Sequence, residues 1–391
     1  MKIAYIVDYL PNLDSRTDFS GAEVSVQLLA AGLKKHGVEI KLVSPAQGLY
    51  SSRGKVFPSL LTTNIFWFFL STLIIIRSLQ REEIDLIHAQ GKNSLVGAYL
   101  SSLFFKKQLL VTVRDYRALC DLGMCFLRGK KHCTFKNYFQ QDIPFFVRKY
   151  KKQTVLRYLY AYLVGLYQYP LRLLYRHILK KANKVVCISI AQQKLYNTFG
   201  IDNTIVIYNP VTFEKVHYQK KKQLFFGGRY TLGKGKEILK IILPKFFQLY
   251  PDWELIFAGR DKLDIEHRNI RTLGQLPYKS YLRSVGESSL ALVPSVWPEP
   301  FGRAALDAIS VGTPVVATNA GALSEIVVSG RYGTVSQPNT QSYWQALQEG
   351  MAKRSGLSEQ IKKDTEKLIK KFQVDPVQDH LRLYESSLHK S

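Results

Sequence analysis

Short apolar runs of strand length alternate with longer stretches of helical apolar spacing, and this alternation fixes the fold class before any other feature is weighed. Lys2-Ile3-Ala4-Tyr5-Ile6-Val7 reads as a strand, Ser20-Gly21-Ala22-Glu23 as a turn and cap, and Val24 to His36 as a helix stopped by Gly37. Val38-Glu39-Ile40-Lys41-Leu42-Val43 is the next strand, and further strands are predicted at Asp85 to Ala89, Gln108 to Val113 and Lys184 to Ser189. Strands separated by helices build a parallel α/β sheet, whose ligands bind beyond the strands' carboxyl ends.

The pattern runs twice. After Tyr208-Asn209-Pro210 a polar stretch, Glu214 to Gln223, interrupts it before a second start at Leu224-Phe225-Phe226-Gly227-Gly228. Leu255 to Gly259, Ala291 to Pro294 and Pro314 to Ala317 are the later strands, and Ser358 to Phe372 is a charged helix with Ile361, Leu368, Ile369 and Phe372 as its apolar stripe. With 391 residues, 46% of them hydrophobic, the chain can bury cores in about two domains. The expected organisation is two Rossmann-like, doubly wound α/β domains at 1–208 and 209–372, with 373–391 as a C-terminal helix crossing back to the first.

Charge narrows the partners. Lys and Arg number 55 against 30 Asp and Glu, a net charge of +25, and such a field attracts polyanions. From Arg128 to Lys184 there are fourteen Lys or Arg and one acid, Asp142, and from Ile143 to Ile201 no acid at all. Phe145, Phe146, Tyr150, Tyr158, Tyr160, Tyr162, Tyr167, Tyr169 and Tyr175 are interleaved with the basic residues Arg148, Lys149, Lys151, Lys152, Arg157, Arg172 and Arg176. An anionic membrane surface suits that composition. Single-stranded nucleic acid suits it too, as does a helical pair with its Leu and Tyr in the core and its basic face in water. No nucleic-acid recognition motif accompanies the charge, so nucleic acid is not the expected partner.

Phe57 to Ile76 carries no charge over twenty residues, but Pro58, Asn64, two Ser and three Thr dilute it. It reads as a helix buried in or beside the fold, with an interfacial helix as the alternative. Four cysteines are too few for a disulfide scaffold, and MKIAYIVDYLP does not have the form of a secretory leader, so a cytoplasmic location is expected.

Three elements of the second half carry chemistry. Gly227-Gly228-Arg229-Tyr230-Thr231-Leu232-Gly233-Lys234-Gly235 follows a strand, and Arg229 and Lys234 put two cations on one loop, as a leaving diphosphate requires; a basic hairpin turn would also account for it. In Pro298-Glu299-Pro300-Phe301-Gly302-Arg303-Ala304-Ala305-Leu306-Asp307-Ala308 a carboxylate precedes a helix that Gly302 opens. The helix N-terminus offers free N–H groups to a phosphate, and Glu299 and Asp307 can accept bonds from hydroxyls. Gly312 to Glu325 is a strand ending in a small-residue loop.

In this order and spacing the elements resemble the retaining glycosyltransferases of family 4. The resemblance is dense from Leu224 to Gly333 and thinner elsewhere, at Ser20-Gly21-Ala22-Glu23, Asp85-Leu86-Ile87-His88-Ala89-Gln90, Val186-Cys187-Ile188-Ser189 and Tyr208-Asn209-Pro210-Val211. It implies the GT-B fold, two such domains facing across a cleft, with the first on the acceptor side and the second binding the donor. Arg229 and Lys234 then look like the pair that grips the donor pyrophosphate. Glu299 looks like the acid that holds the sugar's hydroxyls. Gly21, Gly228, Pro300, Phe301 and Gly302 fall on the donor side, and His88, Gln90 and Tyr116 on the acceptor side. Asp307 stands where the family usually has Glu and would hold the ribose, with a side chain one methylene shorter. The resemblance implies no metal at the reaction centre and no cofactor, and the sequence has no Asp-x-Asp.

The strand Val111-Thr112-Val113 ends in Arg114-Asp115-Tyr116, where many relatives have His. Arg cannot serve as a base but can hold phosphate oxygens, and Asp115 could orient a hydroxyl; an Arg114–Asp115 pair is the purely structural alternative. Cys120, Cys125, His132 and Cys133 are a zinc inventory at loose spacing or free thiols in an acceptor-side loop, and Cys187 is a buried strand residue. The expected function is transfer of a sugar from a nucleotide diphosphate sugar, UDP- or GDP-linked, to an acceptor hydroxyl in cell-surface polysaccharide or glycolipid synthesis. The acceptor would be lipid-linked, and the enzyme peripheral on the inner face of the membrane. A catalytically impaired homologue that binds sugar nucleotides or a partner is the alternative.

Overall fold

The first strand, β1 (Lys2–Ile6), is buried at every residue from Ile3 on, as a parallel strand covered on both faces must be. It lies inside a six-stranded parallel sheet in the computed structural model, which describes residues 1–8, 21–45, 65–120, 134–144, 155–213 and 218–389. Described residues up to Tyr208, joined by those from Val377 on, form one unit; those from Asn209 to Pro376 form another.

In the first unit the chain runs through α1 (Gly21–Lys34), β2 (Glu39–Val43), α2 (Ile65–Leu79), β3 (Leu86–Ala89), α3 (Leu95–Phe105), β4 (Gln108–Val113), α4 (Val155–Lys181), β5 (Lys184–Cys187), α5 (Ile190–Asn197) and β6 (Thr204–Val206). The sheet order β2-β1-β3-β4-β5-β6 reverses direction between β1 and β3. Right-handed crossovers therefore place α1 on one face of the sheet and α2, α3 and α4 on the other. Ile3, Tyr5 and Val7 share the α1 core with Val26, Leu29 and Leu33, and Val377, Leu383 and Tyr384 of the C-terminal helix Asp375–Leu388 complete it. Tyr384 is bonded through its hydroxyl to Tyr5 and, at 2.9 Å, to His88 Nδ1.

The second unit contains β7 (Lys221–Gly227), α6 (Lys236–Leu249), β8 (Glu254–Ala258), β9 (Ile270–Thr272), α7 (Tyr278–Glu287), β10 (Ser288–Val293), α8 (Arg303–Ser310), β11 (Val315–Thr318), α9 (Leu323–Val327), β12 (Gly333–Ser336) and α10 (Thr340–Lys363). Its parallel order β12-β11-β10-β7-β8-β9 reverses between β7 and β10. Each sheet thus has a switch point where loops diverge and leave a crevice.

No apolar run of strand length announces β6, β9 and β12, which are three or four residues long and owe their extended form to the neighbour they pair with. Two segments are of mixed burial. The helix expected in or beside the fold within residues 57–76 packs on one side only: Trp67, Phe68, Ser71, Thr72 and Ile75 of α2 face inward, whereas Ile65, Phe66, Phe69 and Leu73 are exposed. The basic, Tyr-rich stretch is in part interior. Arg172 and Tyr175 are buried, Arg172 stacks over the Tyr169 ring at 3.8 Å, and Arg176 donates to the Leu119 carbonyl at 2.8 Å. These cations brace α4 rather than cover a surface. Lys149, Lys151, Lys152, Cys125, His132 and Cys133 lie outside the described residues. Cys120 and Cys187 are both buried, and burial pushes the Cys187 thiol up to about 12.

Candidate active site

In the second unit the loop after β7 is built for close approach. Gly228 is at φ +114°, and a Cβ on Gly235, at φ +81°, would lie 2.0 Å from the Pro294 carbonyl oxygen, so only glycine lets this loop meet the end of β10. The amides of Val296 and Trp297 both donate to the Gly233 carbonyl, at 3.0 and 2.9 Å, and the buried Tyr230 donates its amide to Asp261 at 2.6 Å. Lys234 is thereby carried to Glu299: Nζ donates to Oε1 at 2.6 Å.

Glu299 is itself held from two sides. Ser295 Oγ donates to the same Oε1, and the Glu299 backbone is stitched to the loop after β11 by Glu299 N to Ala320 O at 3.2 Å and Ala322 N to Glu299 O at 2.9 Å. Gly321, at φ +64°, makes that approach possible, since a Cβ there would lie 2.3 Å from Glu299 O. Pro300 is half-buried and Phe301 buried, and Gly302, at φ +86°, opens α8. Glu299 is 6% exposed. Oε1 takes both side-chain bonds, so Oε2 is the oxygen left for a ligand, and an ammonium that gives one N–H to Glu299 keeps two more. Arg229 stands exposed at the head of the loop.

Asp307 is buried, with partners that sequence reasoning missed. Its Oδ1 accepts from Arg303 Nε and from Tyr278 OH, both at 2.8 Å, and Arg303 Nη2 donates to the Tyr278 hydroxyl at 2.8 Å. Burial works against the Arg303 charge, but Asp307 and the Tyr278 hydroxyl together more than offset it and hold the guanidinium above its ordinary range. The i,i+4 spacing of Arg303 and Asp307 was the readable signal; Tyr278, on another helix, gave none.

The first unit has its own crevice at the switch point, a cavity of about 80 Å³ lined by the ends of β1, β3 and β4, with Asp8, Gln90, Lys92, Arg114, Asp115 and Arg117 among its walls. Gly21 is the first residue of α1, and its neighbours Ala22 and Glu23 line the cavity. Arg114 does not pair with Asp115. Its Nη2 donates to Gln90 Oε1 at 2.6 Å, while Asp115 accepts from Arg117 Nε at 2.6 Å and from the Arg117 amide at 2.8 Å. Burial alone would raise the Asp115 carboxyl; Arg117 outweighs it and brings it below its usual value.

Asp8 was missed. It lies one residue beyond the end of β1 and accepts from the amides of Asn93 and Ser94 and from Ser94 Oγ, at 3.2, 2.9 and 2.8 Å, and burial raises its carboxyl. An acid immediately after the first apolar run was the available clue. Of the residues expected on the acceptor side, His88 and Tyr116 have buried side chains, with His88 held between Tyr384 and, through Nε2, Thr112 Oγ1 at 2.8 Å. Burial, then the charges of His380 and Arg114, depress the His88 imidazole. Among the described residues no group of His, Cys, Asp and Glu is placed to hold a metal ion.

Each unit is thus a doubly wound parallel sheet, with the Lys234–Glu299 pair in the second unit and a cavity lined by charged residues in the first. The chain belongs to Glycosyltransferase Family 4: that family's model matches residues 19–215, and the model for glycosyl transferases group 1 matches residues 210–368. Over 126 residues the chain is 32% identical to a glycogen synthase of Mycobacterium tuberculosis, covering 30% of each protein. Over 122 residues it is 29% identical to a phosphatidyl-myo-inositol mannosyltransferase of Mycobacterium leprae, covering 29% of this chain and 32% of that one. The chain thus spans about a third of the length of these curated relatives. Among solved structures, Anabaena HepE in complex with UDP-glucose superposes with a TM-score of 0.64 at 18% identity, covering 99% of this chain and 100% of that one. Sucrose-phosphate synthase from Thermosynechococcus elongatus gives 0.74 at 16% identity and 100% of both. At that identity the likeness shows the fold, which is GT-B.

Proposed function

We propose that the chain transfers a glycosyl unit from a nucleotide diphosphate sugar, UDP- or GDP-linked, to an acceptor hydroxyl with retention at the anomeric carbon. The Lys234–Glu299 pair beside the N-terminus of α8 carries this reading. As the bond from the anomeric carbon to the diphosphate oxygen breaks, negative charge grows on the diphosphate. The two remaining Lys234 N–H groups, Arg229 and the first amides of α8 are the donors that stabilise it. Glu299 Oε2 accepts from a sugar hydroxyl and orients the ring, and Asp307 serves the ribose. The diphosphate oxygen takes the acceptor's proton on the face it leaves, as the acceptor oxygen bonds to the anomeric carbon. On this route the reaction uses neither a protein base nor a metal.

The crevice of the first unit, with Arg114, Asp115 and Gln90, holds the acceptor. HepE binding UDP-glucose and the mannosyltransferase named for a phosphatidylinositol acceptor support a nucleotide donor and a lipid-linked or cell-surface acceptor. On this reading the enzyme works on the inner face of the membrane. No described helix is long and apolar enough to cross a membrane, which is compatible with a peripheral attachment. The test is a panel of UDP- and GDP-sugars scored by slow donor hydrolysis and by melting temperature. One donor should be hydrolysed and raise the melting point. A donor that binds without turnover would favour the impaired homologue, and no response to any donor would sink both readings.

A further inference from the structure

We infer that the outward face of α2 and α3 is a docking surface seated in the interface of a bilayer containing anionic lipid. The inference deepens the membrane-side reading above and rests on it. The two helices occupy the same face of the first sheet and cross closely: a Cβ on Gly97 of α3 would lie 2.8 Å from Ser71 Oγ and 3.2 Å from the Thr72 amide of α2. Their outward sides therefore form one surface. On it Ile65 is 83% exposed, Phe66 70%, Phe69 63%, Leu73 47%, Leu103 58% and Phe104 63%. At roughly 200 Å² for a fully exposed side chain of this size, they present about 750 Å² of apolar surface. That is more than the largest patch of an ordinary monomer, roughly 300–600 Å².

Charge selects the occupant. Neither α2 nor α3 contains an Asp or Glu, and nor does α4, which packs beside α3. Arg77 and Arg81 at the end of α2 and Lys106 and Lys107 just after α3 are exposed, and none of them is in an ion pair among the described residues. Aromatic and aliphatic side chains rimmed by free cations match the boundary between acyl chains and anionic headgroups. A second copy docked on this face by two-fold symmetry would bring cation against cation.

The experiment is flotation of the purified full chain with phosphatidylcholine vesicles and with vesicles containing one-third phosphatidylglycerol. Two variants are compared, Phe66→Ser/Phe69→Ser/Phe104→Ser and Arg77→Gln/Lys106→Gln/Lys107→Gln, both changed only at exposed positions and checked for native circular dichroism. The wild type should float with anionic vesicles, and each variant should lose at least ~10-fold in partitioning. Donor hydrolysis in the absence of vesicles should remain unchanged. Wild type that does not float, or a Phe variant that floats equally well, overturns the inference. So does a concentration-dependent dimer that the Phe variant abolishes. Loss of donor hydrolysis in the wild type would instead defeat the glycosyl-transfer reading and leave the flotation result standing.

Discussion

Lys234 and Glu299, 65 positions apart, meet at 2.6 Å because Gly235 and Gly321 have no side chains to keep three loops apart. An almost fully buried carboxylate with one occupied oxygen faces an ammonium whose side chain is 35% exposed and which keeps donors to spare.

Lys234→Ala and Glu299→Ala should each lower turnover by at least ~10²-fold, the loss expected for a preorganised transition-state contact. Because the two act as one unit, the double variant should be little worse than the poorer single one. A double-mutant cycle on donor turnover measures this, and fully additive losses would mean that the two work independently.

Asp307→Ala removes the counter-ion of a guanidinium that is only 15% exposed. Breaking such a pair costs about 3 kcal/mol or more. Urea unfolding of the variant should show it; a loss below ~1 kcal/mol would mean that the Arg303 ion pair contributes little net stability.

Gly321→Ala should harm both the fold and the site. The new Cβ would sit 2.3 and 2.5 Å from the Glu299 backbone oxygen and nitrogen, at a positive φ that disfavours a side chain. The expected outcome is a destabilisation of ~1–3 kcal/mol together with a smaller rise in melting temperature on adding donor. An unchanged donor shift would show that Glu299 is not positioned from this side.

Arg114→His should fold, since Arg114 bonds to Gln90 and not to Asp115. Its melting temperature should stay within a few degrees of wild type, while the response to acceptor changes. Failure to fold would make Arg114 a structural residue.

His88 is buried neutral among Tyr5, Tyr384, His380 and Arg114, and its imidazole titrates well below its ordinary value of 6.5 in the folded chain. The unfolded chain therefore binds the extra proton first as pH falls below ~6.5, and stability falls with it by up to ~1.4 kcal/mol per pH unit. His88→Asn should flatten that slope between pH 7 and 5 in urea titrations while lowering stability at pH 7. Parallel slopes would assign the acid sensitivity to other groups.

Much of this was legible in order and spacing. The central strands β1, β3 and β4 announced themselves because each is a local apolar run buried on both faces, and β4 falls at the residues expected of it, Gln108–Val113. The loop glycines around Arg229 and Lys234 and the acid before Gly302 were visible because they depend on residue type at fixed offsets. β9 and β12 were not, since three or four residues become a strand only through their partner.

What the sequence by itself determined is therefore the doubly wound class and the residue types of the loop after β7, both properties of neighbours along the chain. Only tertiary structure decided that Arg114 turns to Gln90, that Tyr278 closes on Arg303 and Asp307, that His88 is sealed beneath the C-terminal helix, and that one side of α2 remains uncovered. Those outcomes depend on which distant groups satisfy a buried polar atom or cover an apolar face, and partners 24 to 296 positions apart leave no local pattern.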